Sequence, residues 1–357
     1  MLRLSSLLIL TLIACGKSAT KPAPELTGSS SRTGTDAAAG PGGDAGSGSS
    51  AVSLDIEPTV PPPTPTIKKA AHGDCKTEYA SKPTRDPNPM CKIAGGTFMM
   101  GAPDSDKDAR PEDRPVHEVF VSPYYIDQFE VTNQQIVHYL NATKNNECTP
   151  RHKLDITGAR HCFELAKWTE PDGRTLTSTV DLELVDGAYR VADPGKARHP
   201  MRSASPEGAK RYCQWVGKRL VTEAQWEFAA RHDPASHRDL RYPWGDRFDR
   251  NRVSCDDDGC KDRGSKLSVG SFDGTNGLKD GSSPWGVHDL GMNADEMVAD
   301  CYAPYKPCSG PCRDPLVSGQ VSCEIVRRGL AVPKFAITSR WEQSSSDVLG
   351  FRCARSD

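Results

Sequence analysis

The chain has 357 residues, with 45 lysines and arginines against 47 aspartates and glutamates, which gives a net charge of −2. A protein that works by binding nucleic acid usually carries a strong basic excess or stripe, so this balance argues against a nucleic-acid partner. Hydrophobic residues make up 36% of the sequence, and the first 71 residues contain few large ones beyond the extreme N-terminus. The length therefore allows one large domain behind an N-terminal extension.

The N-terminus has the pattern of an export signal. Arg3 is followed by an apolar stretch over residues 7–13, which is too short to cross a bilayer. Ala14 then precedes Cys15, and residues 12–15 resemble the bacterial lipobox, in which the cysteine becomes the lipidated first residue of the mature protein. We expect a signal over 1–15, lipidation of Cys15 and attachment to a membrane through it. The alternative is an ordinary signal peptide with an incidental cysteine.

Residues 16–71 are rich in Gly, Ser, Ala, Thr and Pro. Such a composition cannot offset its ordering entropy, so it predicts a disordered tether, with an extended proline-rich stretch near 61–65. We expect the globular domain over 72–357. The lipobox places the protein in the cell envelope. Gly16 stands where an aspartate retains many lipoproteins at the inner membrane, and this favours the outer membrane over the inner one.

Within the domain, the sequence predicts short strands first and helices later. Strands are expected over 95–101, 116–121 and 124–127, followed by a helix that begins at Thr132 or Asn133 and runs to about Leu140. Residues 146–199 are irregular, with a hairpin within 175–191. Ser205 and Thr222 are predicted to cap two further helices.

The cysteines predict disulfides. Twelve cysteines follow Cys15, and an exported chain meets oxidising conditions. Local pairing is expected for Cys255 with Cys260 and for Cys148 with Cys162. Zinc is the alternative, but the short spacing of Cys308 and Cys312 has no matching second pair.

Several motifs, in order, resemble the formylglycine-generating enzyme (sulfatase-modifying factor) domain family. They are residues 95–101 (GGTFMMG), 115–119 (PVHEV), 129–133 (FEVTN), 213–231 (CQWVGKRLVTEAQWEFAAR), 242–246 (YPWGD) and 350–354 (GFRCA). The resemblance implies an α+β fold that is irregular, loop-rich, C-type-lectin-like and stabilised by disulfides. It also implies a disulfide between Cys213 and Cys353.

The resemblance further implies structural calcium, held by oxygen ligands. One set comprises the side chains of Asp289 and Glu296 with the carbonyls of Met292 and Ala294. A second set would use Asn251, the carbonyl of Arg252 and an acid from 256–262. Met292 departs from the family, which usually has glycine there. For the second set, a solvated acidic loop closed by a disulfide is the alternative.

The family's oxidase activity depends on two cysteines that bind Cu(I) after an Arg-Gly-Gly-Ser strand. Here the strand reads Arg-Gly-Leu-Ala from Arg328, and counting forward puts Lys334 and Ser339 at the cysteine positions. Counting back from Cys353 gives Glu324 and Gly329, and no cysteine lies between 324 and 352. Copper is therefore not expected. We expect Lys334 to be a surface lysine and Ser339 a loop serine. A Ser–Lys nucleophile is the alternative.

The leading hypothesis is a domain without oxidase activity that acts as a binding or structural module in the envelope. Its partner would be an envelope protein, a peptide or a glycan. The expected contact surface is an exposed rim of Trp285, Lys334, Arg340 and Trp341, with Trp285 in the core as the alternative. The rivals are a family enzyme of altered chemistry that modifies an exported protein, and a calcium-stabilised scaffold.

Overall fold

The protein is described by a computed structural model that covers residues 73–148, 161–169, 175–177, 180–254, 267–275, 277–291, 293–318, 325–329, 337–343 and 349–357. The predicted signal with Cys15, the tether, and the pair Cys255 and Cys260 lie outside the described residues.

Short strands outnumber helices. The helices are α1 (Asn133–Thr143), α2 (Pro206–Trp215) and α3 (Glu223–Arg231). The strands are β1 (Cys75–Lys76), β2 (Met90–Ile93), β3 (Gly96–Met100), β4 (His117–Val121), β5 (Tyr124–Asp127), β6 (Lys167–Thr169), β7 (Thr175–Thr177), β8 (Leu182–Val185), β9 (Ala188–Val191), β10 (Arg219–Leu220), β11 (His232–Asp233), β12 (Arg238–Asp239), β13 (Asp295–Cys301), β14 (Cys312–Arg313), β15 (Ile325–Arg328), β16 (Arg340–Gln343), β17 (Leu349–Phe351) and β18 (Cys353–Ser356).

The largest sheet is antiparallel and brings the two ends of the domain together. Its order is β1-β2-β5-β18-β10, so the last strand lies between β5 and the two-residue strand β10. Ile126 of β5 is paired with Cys91 on one side and with Ala354 on the other. All three are buried in one apolar cluster, which fixes the register because a shift by one residue would turn them away from that cluster.

Two smaller sheets mix parallel and antiparallel pairs. Their orders are β16-β15-β13-β17 and β14-β4-β3, with parallel pairing of β13 with β17 and of β14 with β4. The sequence does not predict these parallel pairs, because their strands are far apart in the chain and no strand–helix alternation connects them.

The predicted helices and the first strands are confirmed. α1 is one turn longer than expected and ends where Lys144 takes a left-handed conformation. The predicted hairpin is narrower than 175–191. β8 and β9 pair across Asp186 and Gly187, while β7 pairs with β6. Asp186 and Gly187 both have positive φ, which is the requirement of the two-residue turn that Asp-Gly favours.

The cap of α3 gives a first testable prediction. The Thr222 hydroxyl accepts a hydrogen bond from the Gln225 amide at 3.2 Å. We expect Thr222→Ala to lower the free energy of unfolding by about 1 kcal/mol, because an amide at the helix start loses its partner. Thr222→Ser retains the acceptor and serves as the control in chemical denaturation. Equal losses for the two variants would contradict the cap.

The core consists of two main apolar clusters on either side of the sheets. In the first, Trp226 and Phe228 of α3 are fully buried, and Phe228 meets Phe98 edge to face at 5.2 Å. In the second, Tyr139 of α1, Tyr212 of α2 and Phe351 of β17 pack around the chain end. Each such side chain contributes about 1.5–3 kcal/mol through burial.

Four disulfides join described residues: Cys75–Cys91, Cys148–Cys162, Cys213–Cys353 and Cys308–Cys312. The expected pair Cys148–Cys162 is confirmed, and Cys213 is bonded to Cys353, as the resemblance implies. A cross-link stabilises the folded state by lowering the chain entropy of the unfolded state. This contributes about 5 kcal/mol for a sequence separation of 140 and about 2 kcal/mol for a separation of 4. Cys213–Cys353 therefore constrains the unfolded chain most. In the described residues no helix is both long and apolar enough to span a bilayer.

Candidate functional site

Helix α3 places two carboxylates on one side, facing the sheet that contains β15 and β16. Glu223 and Glu227 are four residues apart, which is one helical turn, and both are buried. On the facing sheet, Arg328 and Arg340 are direct partners in the antiparallel pair of β15 with β16. Both arginines are 1% exposed or less, so neither charge reaches solvent.

These four side chains form what we call the arginine–glutamate network. Arg328 donates to Glu223 at 3.0 Å and to Glu227 at 2.6 Å. Arg340 donates to both oxygens of Glu223, at 2.7 and 3.0 Å. Tyr305 donates its hydroxyl to Glu223 at 3.2 Å. Arg231 also donates to Glu227 at 3.1 Å, and charge-assisted bonds of this kind are about twice as strong as neutral ones.

The electrostatics keep the network ionised. Burial alone would lower the pKa of Arg328, but the attraction of Glu227, Tyr305 and Glu223 raises it above the usual range. The pKa of Arg340 is likewise raised by Glu223 against the effect of burial. Both guanidinium groups are therefore charged throughout the physiological range.

The network also holds the segment that follows β13. Arg340 donates to the Ala303 carbonyl at 2.8 Å, and its guanidinium lies 4.3 Å from the ring centre of Tyr305. Its backbone amide donates to the buried Asp113 at 2.9 Å. These contacts connect the network to residues 302–305, and none of its four charged side chains is exposed.

The expectation of an exposed rim is wrong for two of its four residues. Arg340 is 1% exposed because it pairs with Glu223, and Trp285 is 8% exposed because it packs against Phe228 at 5.8 Å. Ser339 is also buried, at 1% exposure, which argues against a loop serine open to solvent. Lys334 and the side chain of Trp341 lie outside the described residues.

A second buried charge cluster lies at the end of β5 in the five-stranded sheet. The Lys218 ammonium donates to Asp86 at 2.7 Å and to Asp127 at 2.5 Å, and all three side chains are fully buried. Burial raises the pKa of Asp127 to about 7, against the attraction of Lys218 and with the repulsion of Asp86. The single Lys218 ammonium thus forms ion pairs with two carboxylates.

The first predicted calcium set overlaps a third cluster, in which Glu130, Asp289 and Glu296 surround Arg352. Glu296 accepts from Arg352 at 2.6, 2.8 and 3.0 Å and from the Trp226 indole at 3.1 Å. Asp289 accepts from the Gly270 amide at 2.6 Å. Burial raises the pKa of Glu130, as does repulsion from Asp289 and Glu296.

The structure does not test the first calcium set. The Glu296 oxygens face the Arg352 guanidinium, and the Ala294 amide, not the carbonyl expected as a ligand, donates to Glu130 at 2.7 Å. Met292 lies outside the described residues, as do the acids 256–262 of the second set. Asn251 and Arg252 lie in a 3₁₀ turn capped by Asp249. No cluster of three or more His, Cys, Asp or Glu suited to a metal occurs in the described part of the chain. Calcium therefore stays a prediction from the resemblance.

Asp300 predicts a dependence of stability on pH. Its carboxylate accepts from the amides of Glu223 and Val317 at 2.7 and 3.0 Å, but burial and then repulsion from Glu223 raise its pKa to about 7. The folded state then binds more protons than the unfolded state between about pH 4 and 7. The contribution of Asp300 to stability therefore falls as the pH rises through this window.

The test is Asp300→Asn, which resembles the neutral acid at every pH. Between pH 4 and 8, we expect the free energy of unfolding of the variant to rise by up to about 4 kcal/mol relative to that of the wild type. The variant also loses one hydrogen bond, which lowers its stability at all pH values. Urea unfolding at both pH values measures this difference. Parallel pH profiles would show that Asp300 does not titrate in this window.

Mixed sheets of short strands, three helices and buried arginine–carboxylate clusters define a loop-rich α+β domain. A family model described as the sulfatase-modifying factor enzyme 1-like domain matches residues 76–357. The chain belongs to this family.

Three relatives show how far the similarity extends. The inactive C-alpha-formylglycine-generating enzyme 2 of Bos taurus is 31% identical over 280 residues, covering 74% of this chain and 87% of the relative. The formylglycine-generating enzyme of Streptomyces coelicolor is 29% identical over 308 residues, covering 77% and 91%. The structure of PvdO from Pseudomonas aeruginosa matches with a TM-score of 0.55 and 23% identity, covering 81% of this chain and all of that one. This last similarity supports the fold alone.

Sequence reasoning missed the arginine–glutamate network. The sequence predicts Thr222 as the cap of α3 and Arg340 as an exposed contact, but the pairing of Glu223 with Arg340 joins residues 117 positions apart. The available signal is the pair Glu223 and Glu227 at helical spacing within the helix that contains Trp226, since two acids on a buried face require partners.

Proposed function

We propose that this chain is a member of the family without copper-dependent oxidase activity, and that it acts as a binding or structural module. The observation that carries the proposal is the state of the cysteines. The nine described cysteines are all in disulfides, and the sequence contains none between 324 and 352. Cu(I) requires soft thiolate ligands, whereas the family's cysteine positions fall at Lys334 and Ser339 by one count or at Glu324 and Gly329 when counted back from Cys353.

The relatives support both a non-catalytic and a catalytic reading. The Bos taurus relative carries the name of an inactive enzyme, and the Streptomyces coelicolor relative carries that of an active one. The second reading corresponds to a family enzyme of altered chemistry that modifies an exported protein. The burial of the arginine–glutamate network argues against it, because the four charged side chains of the network are not exposed to a substrate in solution.

An oxidase assay separates the two. The purified chain, loaded with Cu(I), is incubated in air with a cysteine-containing peptide, and mass spectrometry follows conversion of the cysteine. The Streptomyces coelicolor enzyme serves as the positive control. We expect the peptide to remain unchanged apart from disulfide formation. Turnover of the cysteine to an aldehyde would overturn the proposal.

We further propose that Cys15 carries lipid and holds the domain in the cell envelope, at the outer membrane, where it meets an envelope protein, peptide or glycan. The residues that support this are the apolar stretch 7–13, Ala14, Cys15 and Gly16. Several acyl chains on one residue give stable anchoring, whereas one chain gives marginal binding. Metabolic labelling with an alkyne fatty acid should label the wild type and not Cys15→Ala, and only the wild type should sediment with outer-membrane fractions. Equal labelling or equal sedimentation would contradict lipidation at Cys15.

A further inference from the structure

One disulfide differs from the others in its surroundings. Among the described cysteines, Cys308 is the one that is exposed, and Cys75 is half-buried. The remaining seven are 8% exposed or less. The bond from Cys308 to Cys312 closes a loop of five residues, and residues 306–311 are all exposed. A thiol in solution can therefore approach the Cys308 sulfur without any opening of the core.

The space around this loop is open. A side chain added at Gly310 would meet nothing within 4 Å. Lys306, exposed two residues before Cys308, adds a positive charge to this stretch of the chain. Attack on a disulfide proceeds through a thiolate, and its rate depends on access to the sulfur and on the positive charge that favours the anion.

The other half of the bond is held independently of it. Cys312 is 6% exposed, belongs to the first apolar cluster and pairs in β14 with Val119 of β4. The next two residues extend this anchor. Arg313 lies 4.1 Å from the ring centre of Phe120, and Asp314 accepts two hydrogen bonds from Ser122 at 2.7 Å. Opening the disulfide would therefore release the exposed loop and leave Cys312 in place.

We propose that Cys308–Cys312 is a thiol–disulfide exchange site that takes a dithiol at Cys308. The attacking thiolate forms a bond to the Cys308 sulfur, the Cys308–Cys312 bond breaks, and its electron pair leaves with the Cys312 sulfur, which takes a proton from water. The second thiol of the reductant then attacks its own sulfur in the mixed disulfide and releases Cys308 as a thiol. The pair gains two electrons and the dithiol becomes a disulfide. Because Cys312 stays beside the loop, a disulfide-containing oxidant can restore the bond by the reverse exchange, in which the oxidant becomes a dithiol.

The test is a timed reduction of the folded full chain. Thioredoxin and dithiothreitol, at equal dithiol concentration, are the two arms, followed by N-ethylmaleimide and peptide mapping. We expect Cys308 and Cys312 to be labelled about tenfold or more faster than the buried pair Cys148 and Cys162 in at least one arm. A faster reaction in the thioredoxin arm identifies a protein dithiol as the partner, and a faster reaction with dithiothreitol identifies a small one. Labelling of Cys148 and Cys162 at the same rate in both arms would overturn the proposal.

Two further measurements test which sulfur is attacked and whether this cysteine pair causes the fast labelling. A thioredoxin variant without its second active-site cysteine should be trapped as a mixed disulfide on Cys308, and trapping on Cys312 would contradict the proposed order. The double variant Cys308→Ser/Cys312→Ser should lose the fast labelling phase while Cys148 and Cys162 react as in the wild type. If reduction of the wild-type pair instead follows the rate of global unfolding in urea, the exposed loop is not an exchange site.

Discussion

Lys218→Met is expected to lower the free energy of unfolding by about 3–5 kcal/mol, because it leaves two buried carboxylates without their cation. Asp86 and Asp127 lie 2.7 and 2.5 Å from the Lys218 ammonium, and all three side chains are fully buried. Asp127 also accepts from the Cys353 amide at 2.9 Å, so the cluster connects β5 to the last strand. Chemical denaturation at pH 7.5 measures the loss.

Two further variants make this result specific. Lys210→Met, on an exposed position of α2, should change stability by no more than about 0.5 kcal/mol. Combining Lys218→Met with Asp86→Asn and Asp127→Asn should recover part of the loss, since a neutral replacement of a whole buried ion cluster is often tolerated. An effect of Lys218→Met no larger than that of Lys210→Met would show that the cluster does not form.

The second large effect is expected for Glu223→Gln, with a loss of about 3 kcal/mol. Glu223 accepts from Arg328, twice from Arg340 and from Tyr305, at 2.7 to 3.2 Å. The amide retains the shape of the side chain but removes the charge that both buried guanidinium groups require. Thermal and urea unfolding of the two proteins measure the difference.

Glu207→Gln is the matched control. Glu207 also lies in the first turn of a helix, α2, and pairs with Arg211, but at a partly exposed position. Both variants lose the favourable interaction of a negative charge with the helix N-terminus, which is about 0.3–1 kcal/mol. The excess loss for Glu223→Gln therefore reports the network. Equal losses for the two variants would contradict a role of the network in stability.

Local signals in the sequence predicted local structure well. The capping signal at Thr222 predicts the start of α3, whereas the hairpin is predicted too wide, over 175–191, although Asp186-Gly187 contains the turn between β8 and β9. These features depend on residues within four positions of one another, so the physics that forms them is visible in a short window. The family motifs then supplied the fold class, which local patterns alone did not.

Long-range charge pairing was not predictable in the same way. Lys218 lies between Gly217 and Arg219 and reads as a surface lysine, yet it is buried because Asp86 approaches from 132 positions away. Arg340 and Trp285 were expected on an exposed rim, and both are buried by partners distant in sequence, Glu223 and Phe228. A single sequence shows the charge of such a residue and not the partner that permits its burial.

The proposed absence of a copper site is tested most directly by metal analysis of the full chain. The chain is reconstituted with excess Cu(I), unbound metal is removed, and copper is measured by inductively coupled plasma mass spectrometry. The sequence contains no cysteine between 324 and 352, where both counts from the family motifs place the copper ligands, so the chain should retain copper far below one atom per molecule. The Streptomyces coelicolor enzyme, treated in parallel, shows what a copper-binding relative retains. Stoichiometric copper in this chain would contradict the proposed absence of a copper site.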